Sequence, residues 1–143
     1  MNVDTFKGLL ASQTTPNGFA WSENDKFEGE GCVLSCKGGF PYYDDDCLIQ
    51  LHATENTLEI EFVLDSINPT YDNLKLINDF NDNVSFLKAS IRRQRQGYFL
   101  IVSSTLLLVN DEQQAVNFFL QSFKYVASQE VSIFLRPLTI ITQ

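Results

Sequence analysis

Cys47-Leu48-Ile49-Gln50-Leu51-His52-Ala53-Thr54-Glu55-Asn56-Thr57-Leu58-Glu59-Ile60-Glu61-Phe62-Val63-Leu64-Asp65 is the stretch from which the fold class follows. Its apolar residues recur at every second position, the period at which strand side chains return to one face. In Thr57 to Asp65, Leu58, Ile60, Phe62 and Leu64 alternate with Thr57, Glu59, Glu61, Val63 and Asp65. One face is therefore buried and the other wet, as in an antiparallel strand. Cys47 to Thr54 alternates likewise, with Cys47, Ile49, Leu51 and Ala53 on one side and Gln50 and His52 on the other. The intervening Glu55-Asn56 predicts a hairpin.

Working outward, the period changes. Asn68-Pro69 predicts a helix start, because Asn caps free amides and proline at the first helical position loses no hydrogen bond. Tyr71, Leu74, Ile77 and Phe80 then follow a 3.6-residue period. A strand at Val84 to Arg92 and a loop ending in Gly97 come next. The strand at Tyr98 to Leu108 is apolar enough for both its faces to be covered. Asn110, with Asp111 and Glu112 ahead of Gln113, opens a capping-box-like helix reaching about Ser128. Its expected core stripe is Val116, Leu120, Phe123 and Ala127, which at 100° per residue leaves Phe118 and Tyr125 nearly opposite.

Upstream, Val3 to Ser12 reads as a short amphipathic helix with Val3, Phe6, Leu9 and Leu10 inward, weakened by Gly8. Pro16-Asn17-Gly18 marks a turn, Phe19 and Trp21 a short strand, and Gly31 to Ser35 another before a break at Gly38-Gly39-Phe40-Pro41. At the far end Val131 to Ile141 is β-rich but interrupted by Pro137, the pattern of an edge strand or an overlaid tail. The reading is one α+β domain over residues 1–143. It has an antiparallel sheet, an N-terminal helix, a middle helix, a long C-terminal helix and a β-rich C-terminal tail.

Composition narrows the functional classes. With 44% hydrophobic and 13% aromatic residues in 143, the chain can build one real core. A net charge of -8 opposes non-specific binding to nucleic acid or anionic membrane, since both are polyanions. No apolar run approaches the roughly 20 residues that span a bilayer, and a cytoplasmic location is expected. Cys32 and Cys36 would lie roughly 13 Å apart along a strand at about 3.3 Å per residue, too far for a disulfide. With Cys47 they fit free thiols in a reducing compartment.

Catalytic constellations are scarce. His52 is the one histidine, so triads and familiar metal or nucleotide motifs have little support, and it reads as a surface or sheet-face residue. The three cysteines lack the spacing and fourth ligand of a zinc knuckle. Asp44, Asp45 and Asp46 form an acidic loop, but without the glycine and glutamate offsets of an EF-hand it reads as solvated. Asp79 and Asp82 read as helix-terminating groups. Neither a catalytic site nor a cofactor is expected.

Charge is unevenly placed. Residues 1–82 carry a net of -11 and residues 83–143 a net of +3. Lys88, Arg92, Arg93 and Arg95 cluster on the second hairpin, where Lys88 and Arg92 are expected to share a strand face with Phe86 and Ser90. Such a hairpin is either a solubilised edge or a contact for an acidic partner. Phe118 and Tyr125 are either covered by the C-terminal strand or part of a dimer or ligand groove.

The order of elements from Asn68 to Ala127, with Leu76-Ile77-Asn78-Asp79-Phe80-Asn81 closing a helix and Phe86-Leu87-Lys88-Ala89-Ser90 opening a strand, resembles the YbjN family of bacterial proteins. That family closes the helix with a similar Leu-x-Asn-x-x-Asn signature before a Phe-x-x-Ala strand. Here Asn78 and Asn81 stand at the asparagines, and Phe86 and Ala89 at the strand. The family looks like the type III secretion chaperone fold: a helix, antiparallel strands, a helix, two more strands and a final helix. The tail after Ser128 departs from that order.

The resemblance implies a protein-binding fold. Secretion chaperones of this shape are small, acidic, cytosolic and usually dimeric, and hold an extended partner segment against apolar strips. The expected function is therefore a non-catalytic, chaperone-like or regulatory domain that binds a protein, a second copy of itself included. Phe86, Phe118, Tyr125 and the basic hairpin are the candidate contacts. A rival reading is an acidic inhibitor or nucleic-acid mimic that presents Asp44 to Asp46, Glu59 and Glu61 to a basic site. An enzyme with an unfamiliar carboxylate site is the weakest alternative.

Overall fold

The computed structural model describes residues 1–13, 22–23, 32–39, 46–94, 97–131 and 133–135. Its elements are α1 (Val3–Gln13), β1 (Ser22–Glu23), β2 (Cys32–Gly39), β3 (Asp46–Ala53), β4 (Leu58–Ser66), α2 (Tyr71–Asn83), β5 (Lys88–Gln94), β6 (Gly97–Leu106) and α3 (Glu112–Val126). The strands form one antiparallel sheet in the order β1-β2-β3-β4-β6-β5. The architecture is α+β, with the three expected helices.

The hairpin quoted above forms where its alternation placed it. Leu51 opposes Ile60 and Ile49 opposes Phe62, and these four are buried together in the core. Leu100 and Val102 of β6 join them, with Phe6 and Leu10 from α1, Ile77 and Phe80 from α2, and Ala115, Val116 and Phe119 from α3. All three helices thus cover one face of the sheet. On the other face Val63 opposes Ile101, and both are buried outside that cluster. Val63 and Leu64 are adjacent, point to opposite faces of the sheet and are both buried, so the sheet is covered on two sides near Ile101, as the composition of β6 predicted; β4 then shifts register between Val63 and Asp65.

Several expectations need correction. Gly38 and Gly39 do not break the chain but complete β2, opposite Cys47 and Asp46. The cap of α2 is Thr70, whose side chain accepts from the Asn73 amide. Asn68 instead offers its carbonyl to the Asn73 side chain. Asn73 is therefore buried, while Tyr71 and Leu74 are 80% and 46% exposed. β5 starts at Lys88 rather than Val84, because the Val84 amide donates to the Phe80 carbonyl and closes α2.

The expected β-rich tail is helical at residues 129–131 and 133–135. Val131 and Leu135, one helical turn apart, are buried, and the Phe134 ring meets Phe80 edge-on at 6.2 Å. Burial of one helical face overrides the β-propensity of the branched residues there. The rest of the expected tail strand, residues 136–141, lies outside the described residues, as does the Pro16-to-Trp21 segment.

α3 opens one residue later than expected. Asp111 caps it by accepting from the Gln114 amide, and Gln114 Oε1 accepts from the Asn110 amide. Its first-turn Glu112 reaches Asn2, the residue before α1, where Oε1 accepts from the Asn2 amide at 2.6 Å. That hydrogen bond, followed by one from the residue's own backbone, holds the Glu112 carboxyl below the usual glutamate range. A lowered folded-state value means stability that is present above the ordinary glutamate pKa and lost as pH falls through the lowered one. A pH series of urea midpoints should show this acid limb, and Glu112→Gln should flatten it.

Candidate functional site

The described aromatic and basic candidates fall on two different surfaces. Phe86 sits in the connection from α2 to β5, between Val84 and Leu87, which are both buried. Anchored on either side, its ring is held out and remains 40% exposed. It meets Phe118 edge-to-face at 5.5 Å and Tyr125 at 6.0 Å, separations at which aromatic pairs are favourable by about 0.5–1.5 kcal/mol. Phe118 and Tyr125 are seven residues apart, hence on one side of α3 two turns apart.

Phe118 and Tyr125 do not face away from the core. The buried stripe of α3 is Ala115, Val116, Phe119, Ser122 and Val126, and both rings lie roughly 90° round the helix from its centre. The expected stripe of Leu120, Phe123 and Ala127 is only partly buried, on the opposite flank. Ser122 holds this orientation. It donates to the Phe118 carbonyl at 2.9 Å and accepts from Ser104 of β6 at 3.0 Å, in a buried pair.

Two contiguous grooves run along this flank. One, of about 450 Å³, is lined by Leu106, Asp111, Gln113, Gln114, Asn117, Phe118 and Gln121. The other, of about 510 Å³, is lined by Phe86, Gln121, Lys124, Tyr125, Ser128 and Glu130 and has a largely apolar wall. Ser128 turns the chain after α3, its hydroxyl donating to the Tyr125 carbonyl at 2.6 Å and accepting from the Val131 amide. Gln121 lies in both grooves and was missed in the sequence because a lone exposed glutamine carries no signal.

The basic residues lie elsewhere. Ala89 joins the helix-side core, so its strand neighbours Lys88, Ser90 and Arg92 point to the opposite face. Phe86 precedes the strand and turns toward α3, so it does not share their surface as expected. Arg92 donates to Glu61 at 2.8 Å, and that hydrogen bond raises the guanidinium pKa. Lys88 and Arg93 are exposed, on opposite faces of β5. Arg95, Asp44 and Asp45 lie outside the described residues, and Asp46 opens β3 opposite Gly39.

His52 lies on the wet face opposite Glu59, where Gln50, Glu59 and Glu61 line a depression of about 170 Å³ with it. Cys32 and Cys36 share β2, and Cys47 lies in β3. Among the described residues no three of His, Cys, Asp and Glu gather as a metal site would require. Among those residues, also, no helix is long and apolar enough to cross a membrane. Asp79 accepts from the Asn83 side chain through its carbonyl at 2.7 Å and so closes α2.

The asparagine signature acquires a mechanism. Asn81 accepts from the Ala89 amide at 2.7 Å and donates to the Ala89 carbonyl at 3.0 Å. It pairs with β5 as a neighbouring strand would, fastening the end of α2 to the sheet edge. Asn78 is exposed.

These elements define the α+β fold seen in YbjN. A solved structure of YbjN, "a putative transcription regulator from E. coli", is similar to 96% of this chain over 90% of its own, at a TM-score of 0.64 and 15% identity. No family model and no curated protein matches the sequence.

Proposed function

We propose that this chain is a non-catalytic protein-binding domain and that the α3 flank is its binding surface. The observation that carries the reading is Phe86, held out at 40% exposure against Phe118 and Tyr125 at the wall of an apolar groove. Clustered aromatics bordered by polar side chains are the composition of an interface centre. The regulatory role suggested for the structural neighbour can be exerted through protein contact. A net charge of -8 disfavours direct contact with DNA. Chaperone-like or regulatory, the role we assign runs through this groove. The acidic-mimic reading is weaker, because Glu61 is already paired with Arg92.

A photoreactive amino acid at exposed Gln121, in the cell that makes the protein, tests this reading. A discrete cross-linked protein adduct is expected there and not from the same group at exposed Asp79 of α2. Equal or absent adducts at the two positions would remove the assignment.

A further inference from the structure

The groove at the carboxy end of α3, of about 510 Å³, has the size of a small-molecule site. Its lining contains three kinds of group. Phe86 and Tyr125 are rings 6.0 Å apart and inclined at 66°, so they make an open corner rather than a stack. Such a corner accepts a third ring, since aromatic groups favour offset and edge-to-face neighbours. Gln121 and Ser128 are neutral. Lys124 and Glu130 carry the charges of the lining, one of each sign, and both are exposed. Lys124 stands in the last turn of α3, and beyond the bend at Ser128 the chain returns Glu130 to the same wall. Among the described residues neither enters an ion pair.

The two signs decide what the groove can hold. An anion would be drawn to Lys124 and repelled by Glu130, a cation the reverse, and a neutral apolar body would leave both charges without partners. A zwitterion satisfies both. We infer that this groove binds an aromatic amino acid, with its ring against Phe86 and Tyr125, its carboxylate on Lys124 and its ammonium on Glu130. This rests on reading the α3 flank as a protein-binding surface and adds a small effector to it. Gln121 lies in this groove and in its neighbour, so a bound amino acid takes part of the seat otherwise open to a protein. Exposed ion pairs each strengthen binding only about two- to fivefold, and a Kd of about 1 mM is expected.

Amide chemical shifts of the isotope-labelled protein, titrated with L-phenylalanine at low salt, test the inference. Saturable shifts are expected at Phe86, Gln121, Tyr125 and Ser128, and none with L-alanine, which lacks the ring. Phenethylamine, without the carboxylate, and phenylpropionate, without the ammonium, should each bind about two- to fivefold more weakly than phenylalanine. Lys124→Gln should bring phenylalanine down to the level of phenethylamine and leave phenethylamine unchanged. Glu130→Gln should bring it down to the level of phenylpropionate and leave phenylpropionate unchanged. Both side chains are exposed, so neither variant disturbs the core. No saturable shift up to about 20 mM phenylalanine, shifts confined to other residues, equal binding of alanine, or variants that leave phenylalanine unaffected would each overturn the inference. If phenylalanine does not bind while position 121 still forms its protein adduct, the protein-binding surface stands without the effector. If it binds while no adduct forms, the amino acid is the occupant and the protein-binding reading falls.

Discussion

Replacing Asn81 by alanine is expected to destabilise the fold by about 2–3 kcal/mol, read as a drop in the urea midpoint at unchanged slope. Two hydrogen bonds are removed at once, and both abandoned partners are backbone groups of Ala89, a residue buried against Val102. Both bonds are part-buried at the sheet edge, so the freed amide and carbonyl regain little hydration there, and each lost bond costs about 1–1.5 kcal/mol. Asn81→Asp should recover part of the loss, since a carboxylate still accepts from the Ala89 amide but repels its carbonyl. Amide exchange gives an independent readout: the Ala89 amide should lose protection in Asn81→Ala while the Val102 amide keeps most of its own. Because Asn81 occupies the outer edge of β5, its removal also bares backbone groups there, and concentration-dependent association through the strand edge should rise. If Asn81→Ala is as stable as wild type, the asparagine is ornamental and the junction of α2 with β5 is held by Phe80 and Leu87 alone.

The parts of this fold that can be read from the chain are those where one short period dominates. β3 and β4 alternate without interruption, and a slip by one residue would turn Ile49, Leu51, Ile60 and Phe62 to water, so their pairing is over-determined. Ends of elements are not. Asn68-Pro69 and Thr70 all favour a helix start, and the choice between them is made by Asn73, which is buried with its amide bonded to Thr70 and its side chain to Asn68. Nor is the region after α3 legible. Its residues have strand propensity, but Val131 and Leu135 are buried one helical turn apart and Phe134 meets Phe80, far away in the chain.

The candidate surface was legible one residue at a time and not as an arrangement. Phe118 and Tyr125 are the rings for which the period of α3 offers no burial, Phe86 enters only as the companion of Lys88 and Arg92 on an expected strand face, and the structure brings the three rings together. The basic hairpin stood out as charge. What the sequence hides is that one of its cations is paired with Glu61 across the intervening strand β6, a partner 31 residues away. Long-range pairing of this kind has no local pattern, so a charge cluster in sequence overstates the charge free to meet a partner.

Phe119→Ala is expected to have the largest effect of any substitution in α3, a loss of about 3–5 kcal/mol that leaves the protein marginal or unfolded. Its ring is 1% exposed and lies in the core with Phe62 and Val116. Phe118→Ala, one residue away and of identical chemistry, should cost the isolated fold far less, because it removes a half-buried ring from the edge of the cluster rather than opening a cavity. The comparison decides between two orientations of the helix. On the stripe of Val116, Leu120, Phe123 and Ala127, Phe119 sits on a flank and Leu120 at the centre, so Leu120→Ala would be the damaging change. On the observed stripe the Ser104–Ser122 hydrogen bond and Phe119 share one line of the helix, and Leu120→Ala should cost less than Phe119→Ala. Thermal midpoints of the three variants therefore order the faces of α3: Phe119 lowest, Leu120 between and Phe118 nearest wild type. A Phe118 variant as damaged as Phe119 would place that ring in the core and remove it from the binding surface.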